Sequence, residues 1–154
     1  MKSRLVSWAF AIICLLACQN NEINPYKNKF NIPPAVVAQL DTPNYSTIAW
    51  LDTVQNFGTI KEGESVPIKY RFKNSGEKPL FISEVRPSCG CTVTDYPKNI
   101  IFPEKGGELT ATFNSHDMHG FVQKSVWVVS NTSNGVAQLL KFSGQVSDSS
   151  DSKK

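Results

Sequence analysis

Cysteine is scarce in this chain of 154 residues: Cys14, Cys18, Cys89 and Cys91 are the full set. No two of them are placed far apart in the folded region, so a bridge between the sheets of a β sandwich is excluded. Histidine occurs only as His116 and His119. There is no His-Glu-x-x-His, no nucleophile elbow and no glycine-rich phosphate loop. Asp95 and Glu104 stand alone and read as solvated acids at strand ends. An enzyme is therefore not expected. Long hydrophobic runs are also missing. The longest uncharged apolar stretch, Leu5 to Ala17, is too short for a comfortable membrane span.

That stretch reads as an export signal. Lys2 and Arg4 supply the positive start, and the run ends in Leu15-Leu16-Ala17-Cys18. The ending resembles the bacterial lipobox, in which a small residue precedes the cysteine that is cleaved and acylated. The resemblance implies that residues 1–18 are a lipoprotein signal, with Cys18 carrying palmitate-type acyl chains and anchoring the protein to a membrane. More than one chain makes such anchoring stable. Cys14 leaves with the peptide. So do Lys2 and Arg4, and the excess of 16 basic over 13 acidic residues falls from +3 to about +1. A chain without a basic surplus is not expected to bind nucleic acid.

Residues 19–46 are polar and broken by Pro25, Pro33, Pro34 and Pro43. They read as a flexible tether, with Ile32, Val36, Val37 and Leu40 apolar enough to dock in part. The segment after Cys18 is poorer in acid than a surface-export signal. The expected location is the cell envelope of a bacterium, at the outer membrane facing the periplasm.

From residue 47 the pattern is β. Val66, Ile68, Tyr70 and Phe72 alternate with Pro67, Lys69, Arg71 and Lys73, which predicts a half-buried strand with a solvated basic face. Pro67 near its start points to an edge position, or to a first residue without a ladder partner. Leu80 to Val85 is the next strand, with a bulge near Glu84 where alternation falters. Thr92 to Thr94 is a short strand continued by Ile100 to Pro103. Leu109, Ala111 and Phe113 alternate again. Val122 to Val129 is apolar on both faces, as in a central strand, and places Trp127 in the core. Asn131 to Gly135 makes a hairpin, and Val136, Leu140, Phe142 and Val146 line the last strand. Residues 147–154 read as a disordered tail. About seven strands over residues 47–146, with no amphipathic helix, predict an all-β fold: a single immunoglobulin-like sandwich.

The most unusual chemistry lies in Arg86-Pro87-Ser88-Cys89-Gly90-Cys91-Thr92. Three readings of the thiol pair compete. It can form a short-range disulfide, although fully extended backbone would hold the two Cα atoms about 6.5–7 Å apart, at the limit for a bridge. Positive φ at Gly90 would fold the segment back and close that gap. Two thiolates can instead hold a soft metal such as copper. The third reading is a structural turn with reduced thiols.

Three pieces in order resemble one bacterial family: Phe57-Gly58-Thr59-Ile60 with Gly63-Glu64, Phe72-Lys73-Asn74-Ser75-Gly76, and Val85-Arg86-Pro87-Ser88-Cys89-Gly90-Cys91-Thr92. The family is the domain of unknown function 1573. The resemblance implies a single immunoglobulin-like domain behind a lipoprotein or secretory signal, over roughly residues 50–146. It implies no reaction. One departure is the turn Ser115-His116-Asp117-Met118-His119-Gly120, where such sequences carry a Lys/Gly turn. His116, Met118 and His119 have the chemistry of copper ligands, and otherwise read as a polar hairpin tip with solvated His. The function expected from all this is an envelope-anchored, non-catalytic binding or structural module with a protein partner and no cofactor. The alternative is a lipoprotein that handles copper or thiol redox through Cys89 and Cys91.

Overall fold

The alternation at Val66 to Phe72 becomes the centre of one sheet. A computed structural model describes residues 33–148; Cys18, the start of the tether and the end of the tail lie outside them. Eight strands follow one another: β1 Ile48–Trp50, β2 Val54–Lys61, β3 Ser65–Asn74, β4 Ile82–Pro87, β5 Thr92–Asp95, β6 Gly106–Asn114, β7 Gly120–Ser130 and β8 Ala137–Ser147. They form two four-stranded sheets, ordered β1-β3-β6-β5 and β2-β8-β7-β4. The fold is an immunoglobulin-like sandwich.

The chain that precedes β3 is split between the sheets. β1 pairs antiparallel with the end of β3, and β2 then crosses over and runs parallel to β8. One segment thus closes the same side of both sheets. The crossing is tied down by polar contacts. Leu51 N–H donates to Arg71 O at 2.9 Å. The Arg71 side chain meets Asp52 with two bonds, Nε to Oδ2 at 2.8 Å and Nη2 to Oδ1 at 3.2 Å. The hydrogen bond from Arg71 holds the Asp52 carboxyl below its usual range, against a smaller opposing effect of desolvation. A carboxyl depressed on folding contributes stability at neutral pH. That contribution fades as the pH falls through its titration, and the tie is exposed enough for salt to screen it.

Apolar faces of both sheets meet between the layers. Tyr70, Phe72, Leu109, Phe113, Val126, Leu140 and Phe142 are buried there. Phe57, Phe113 and Phe142 form a tilted aromatic cluster with centroids 5.5 to 6.3 Å apart. Gly144 makes room for it, since a Cβ there would stand 2.3 Å from the Phe57 ring. The Tyr70 hydroxyl crosses from one sheet to donate to Lys141 O in the other at 2.8 Å.

Several expectations need correction. The end of the proposed tether holds a helix, α1, Pro34–Leu40, with Pro34 at its start where no N–H is needed. Ala38 is buried, and the Tyr45 hydroxyl donates back to Gln39 O at 2.8 Å. Trp127 is not core. It points outward from β7 beside Leu139 and remains 46 % exposed. Accordingly β7 is apolar on one buried face, through Val122, Val126 and Val128, and mixed on the other. Ile100 to Pro103 is not a strand and keeps only the bridge of Ile101 to Leu80. Pro67 lies in an interior strand, yet β1 reaches only the last residues of β3, so no strand flanks Pro67 on that side. The bulge near Glu84 is present as a register shift between Ile82 and Glu84.

Candidate functional site

β4 and β5 are edge strands of opposite sheets, and the Cys motif is the chain that crosses between them. Each end of the crossing is fixed by backbone pairing. Ser88 N–H donates to Ser125 O at 2.8 Å, and Ser125 N–H donates to Ser88 Oγ at 3.1 Å, which prolongs β4 along β7. Asn114 N–H donates to Cys91 O at 2.9 Å, which starts β5 on β6. Between these anchors Cys89 and Cys91 are joined by a disulfide with Cα atoms 5.2 Å apart. Positive φ at Gly90 is not the device that closes the gap. The glycines in that region are Gly58, Gly63, Gly120 and Gly135, and the segment folds back as a turn at Gly90 and Cys91 with ordinary φ at Gly90.

Thr92 is the residue that sequence reasoning missed. It is buried, and its hydroxyl lies 3.6 Å from Cys89 Sγ and 3.9 Å from Cys91 Sγ. The signal was available in β5 itself, because Thr92 and Thr94 alternate with the exposed Val93 and Asp95. Cys91 packs against the core, and Gly90 is exposed with open space around it.

The turn at residues 115–119 is a second crossover and not a hairpin tip, since β6 and β7 belong to different sheets. Ser115 is buried and donates through its hydroxyl toward Lys61 O and Glu64 O, each at 2.9 Å. His116, Met118 and His119 diverge. Met118 packs on the core, while His116 pairs with Asp117 at 3.5 Å and His119 with Asp148 at 3.0 Å. Among the described residues no group of three or more His, Cys, Asp or Glu is arranged to hold a metal ion. His116 and Cys91 do share the rim of one shallow cleft of about 390 Å³, with Ser65, Gly90, Val93 and Thr112.

The pairing of Cys89 with Cys91 is local, so it is not the staple of the sandwich. A loop of so few residues removes little freedom from the unfolded chain. Cys89→Ser with Cys91→Ser is expected to leave a folded domain. Its loss in denaturant melts should be smaller than the ~2–5 kcal/mol typical of native disulfides in small secreted domains. A double variant unfolded at room temperature would make the motif the structural centre.

The arrangement defines an immunoglobulin-like domain with a disulfide at one sheet crossover. More particularly, residues 48–146 match the family described as "Protein of unknown function (DUF1573)", and the chain belongs to it. No curated protein matches the chain. Among solved structures, a protein of unknown function from Porphyromonas gingivalis W83 superposes with a TM-score of 0.58 at 13 % identity. That match covers 65 % of this chain and 46 % of the other, so this chain spans less than half of that protein. The ASH / PapD-like domain of human CEP192 superposes with a TM-score of 0.54 at 12 % identity, over 70 % of this chain and 89 % of that domain. At these identities the likeness is one of fold.

Proposed function

We propose that the protein is an envelope lipoprotein, anchored through acylated Cys18, whose immunoglobulin-like domain is a non-catalytic binding or structural module at the periplasmic side of the outer membrane. The observation that supports binding is the open edge at β5. That strand pairs with β6 alone and carries Val93 with 73 % of its surface exposed. An edge strand offers unpaired backbone groups and a row of alternate side chains to an extended partner segment. The likeness of fold to the ASH / PapD-like domain of human CEP192 agrees with this use.

Two outcomes test the reading. A photo-crosslinking residue at Val93 in living cells is expected to capture an envelope protein, while one at Lys69 on the polar face of β3 is not. Equal capture at both positions, or at neither, overturns the binding edge. Separately, Cys18→Ala is expected to move the protein from the detergent phase to the aqueous phase and to abolish the acyl mass increment. Unchanged partitioning would refute the anchor.

A further inference from the structure

We propose that the Cys89–Cys91 disulfide is an exchange site that accepts a thiolate from a dithiol protein, with Thr92 as the residue that stabilises the sulfur released. The inference goes beyond the binding reading and does not depend on the β5 edge. It rests on three features of the crossover. The bond joins residues separated by 2 positions, so the ring opens with little displacement of the flanking chain. Gly90 between them is exposed, and no atom stands within 4 Å of the place a Cβ would occupy. The buried Thr92 hydroxyl contacts both sulfurs, at 3.6 and 3.9 Å, and can turn its proton to whichever one gains charge.

The two sulfurs are not equivalent. Cys91 packs against the core, and Cys89 does not. Cys91, held by that packing, is the sulfur that stays in place as the bond opens, so the partner thiolate attacks Cys89 Sγ. A sulfur–sulfur bond forms to the partner, the Cys89–Cys91 bond breaks, and its electron pair stays on Cys91 Sγ. That thiolate accepts the Thr92 hydroxyl bond and then takes a proton from water. The second partner thiolate attacks the partner sulfur of the mixed disulfide, and Cys89 leaves as a thiolate. The partner dithiol is oxidised to a disulfide, and this disulfide is reduced to two thiols. Exchange rates depend on how well the leaving thiolate is stabilised and on which sulfur can be reached. The backbone bonds at Ser88 and Cys91 do not involve the sulfurs, so the crossover keeps both anchors while the bond is open.

The test uses the full chain in detergent with millimolar reduced glutathione as the probe, read by alkylation and intact mass. Wild-type protein is expected to be reduced through a glutathione adduct that peptide mapping places on Cys89. Thr92→Val is expected to slow reduction roughly tenfold by removing a charge-assisted hydrogen bond, and Thr92→Ser to restore it. A bond that resists millimolar glutathione, an adduct chiefly on Cys91, or equal rates in wild type and Thr92→Val would each overturn the assignment. The first two need no substitution, so the proposal stays testable even where the valine variant does not fold.

Discussion

Phe72→Ala is expected to destabilise the domain by about 3–5 kcal/mol, and Lys69→Ala to stay within about 0.5 kcal/mol. The two residues lie on one strand, three positions apart, so the contrast reads strand register. Phe72 is 2 % exposed and faces the layer between the sheets. Its ring lies 5.2 Å from that of Trp50, with the planes tilted by 58°. It pairs across the ladder with Gly107, where a Cβ would stand 2.7 Å from its Cζ. The absence of a side chain at Gly107 is thus part of the Phe72 pocket. Truncating the ring would leave a cavity that neither the fixed Trp50 nor a glycine can fill. Lys69 points the other way and makes one exposed ion pair with Glu108 at 2.9 Å. Such pairs contribute little. Chemical denaturation of the two variants checks the contrast, and equal shifts in midpoint would mean that the strand does not sit in this register.

That register was legible because one face of β3 is dry and the other wet. Period-two alternation is the direct record of that condition, and β6 carries the same record at Leu109, Ala111 and Phe113. Elsewhere the record is ambiguous. A run such as Val126-Trp127-Val128-Val129 has no polar residue to mark the outer face, so sequence alone puts Trp127 inside. The structure turns it outward beside Leu139 and Arg86. Apolar residues on an outer face are ordinary on protein surfaces, which is why hydrophobicity is a weaker guide than alternation. Helix α1 was hidden for another reason. Seven residues are too few for a helical period to show, and the segment is ordered by docking rather than by propensity. The basic face of β3 was read correctly as exposed, but not its pairing. Arg71 finds Asp52 only because the chain crosses between sheets at Leu51 to Thr53, and no local pattern announces that crossing.

The candidate site was legible in part. A Cys-Gly-Cys spacing draws attention by its chemistry, whatever the fold. That the motif is the bridge between two edge strands depends on topology, which pairs β4 with β7 and β5 with β6 in separate sheets. The same topology separates Met118 from His116 and His119. Three adjacent potential ligands in a turn look like a cluster until one of them is needed to fill the core beneath a crossover.

Asn74 gives the second large effect. It is fully buried at the end of β3. Its side-chain carbonyl accepts from Ser46 Oγ at 2.6 Å and from Gly76 N–H at 3.1 Å. Its amide donates to Lys78 O at 2.8 Å and to Ile101 O at 2.9 Å. These four bonds hold the chain before β1, the turn after β3 and the irregular segment at Ile101 around one side chain. Each partner keeps another bond: Ser46 Oγ to Lys78 O, Gly76 N–H to Thr47 O, and Leu80 N–H to Ile101 O. Asn74→Ala therefore strips bonds without leaving a backbone group wholly unpaired. Four hydrogen bonds, two of them fully buried and two partly, at about 1 kcal/mol each put the loss near 2–4 kcal/mol. Asn74→Asp keeps the shape but points a carboxylate at two carbonyls that need a donor, and buries its charge. It is expected to cost more than the alanine variant at neutral pH and to recover as the pH falls and the carboxyl protonates, because its folded-state pKa would be raised. Denaturant melts of both variants at neutral and mildly acidic pH decide the matter. If aspartate were tolerated better than alanine at neutral pH, volume rather than hydrogen bonding would be what Asn74 supplies.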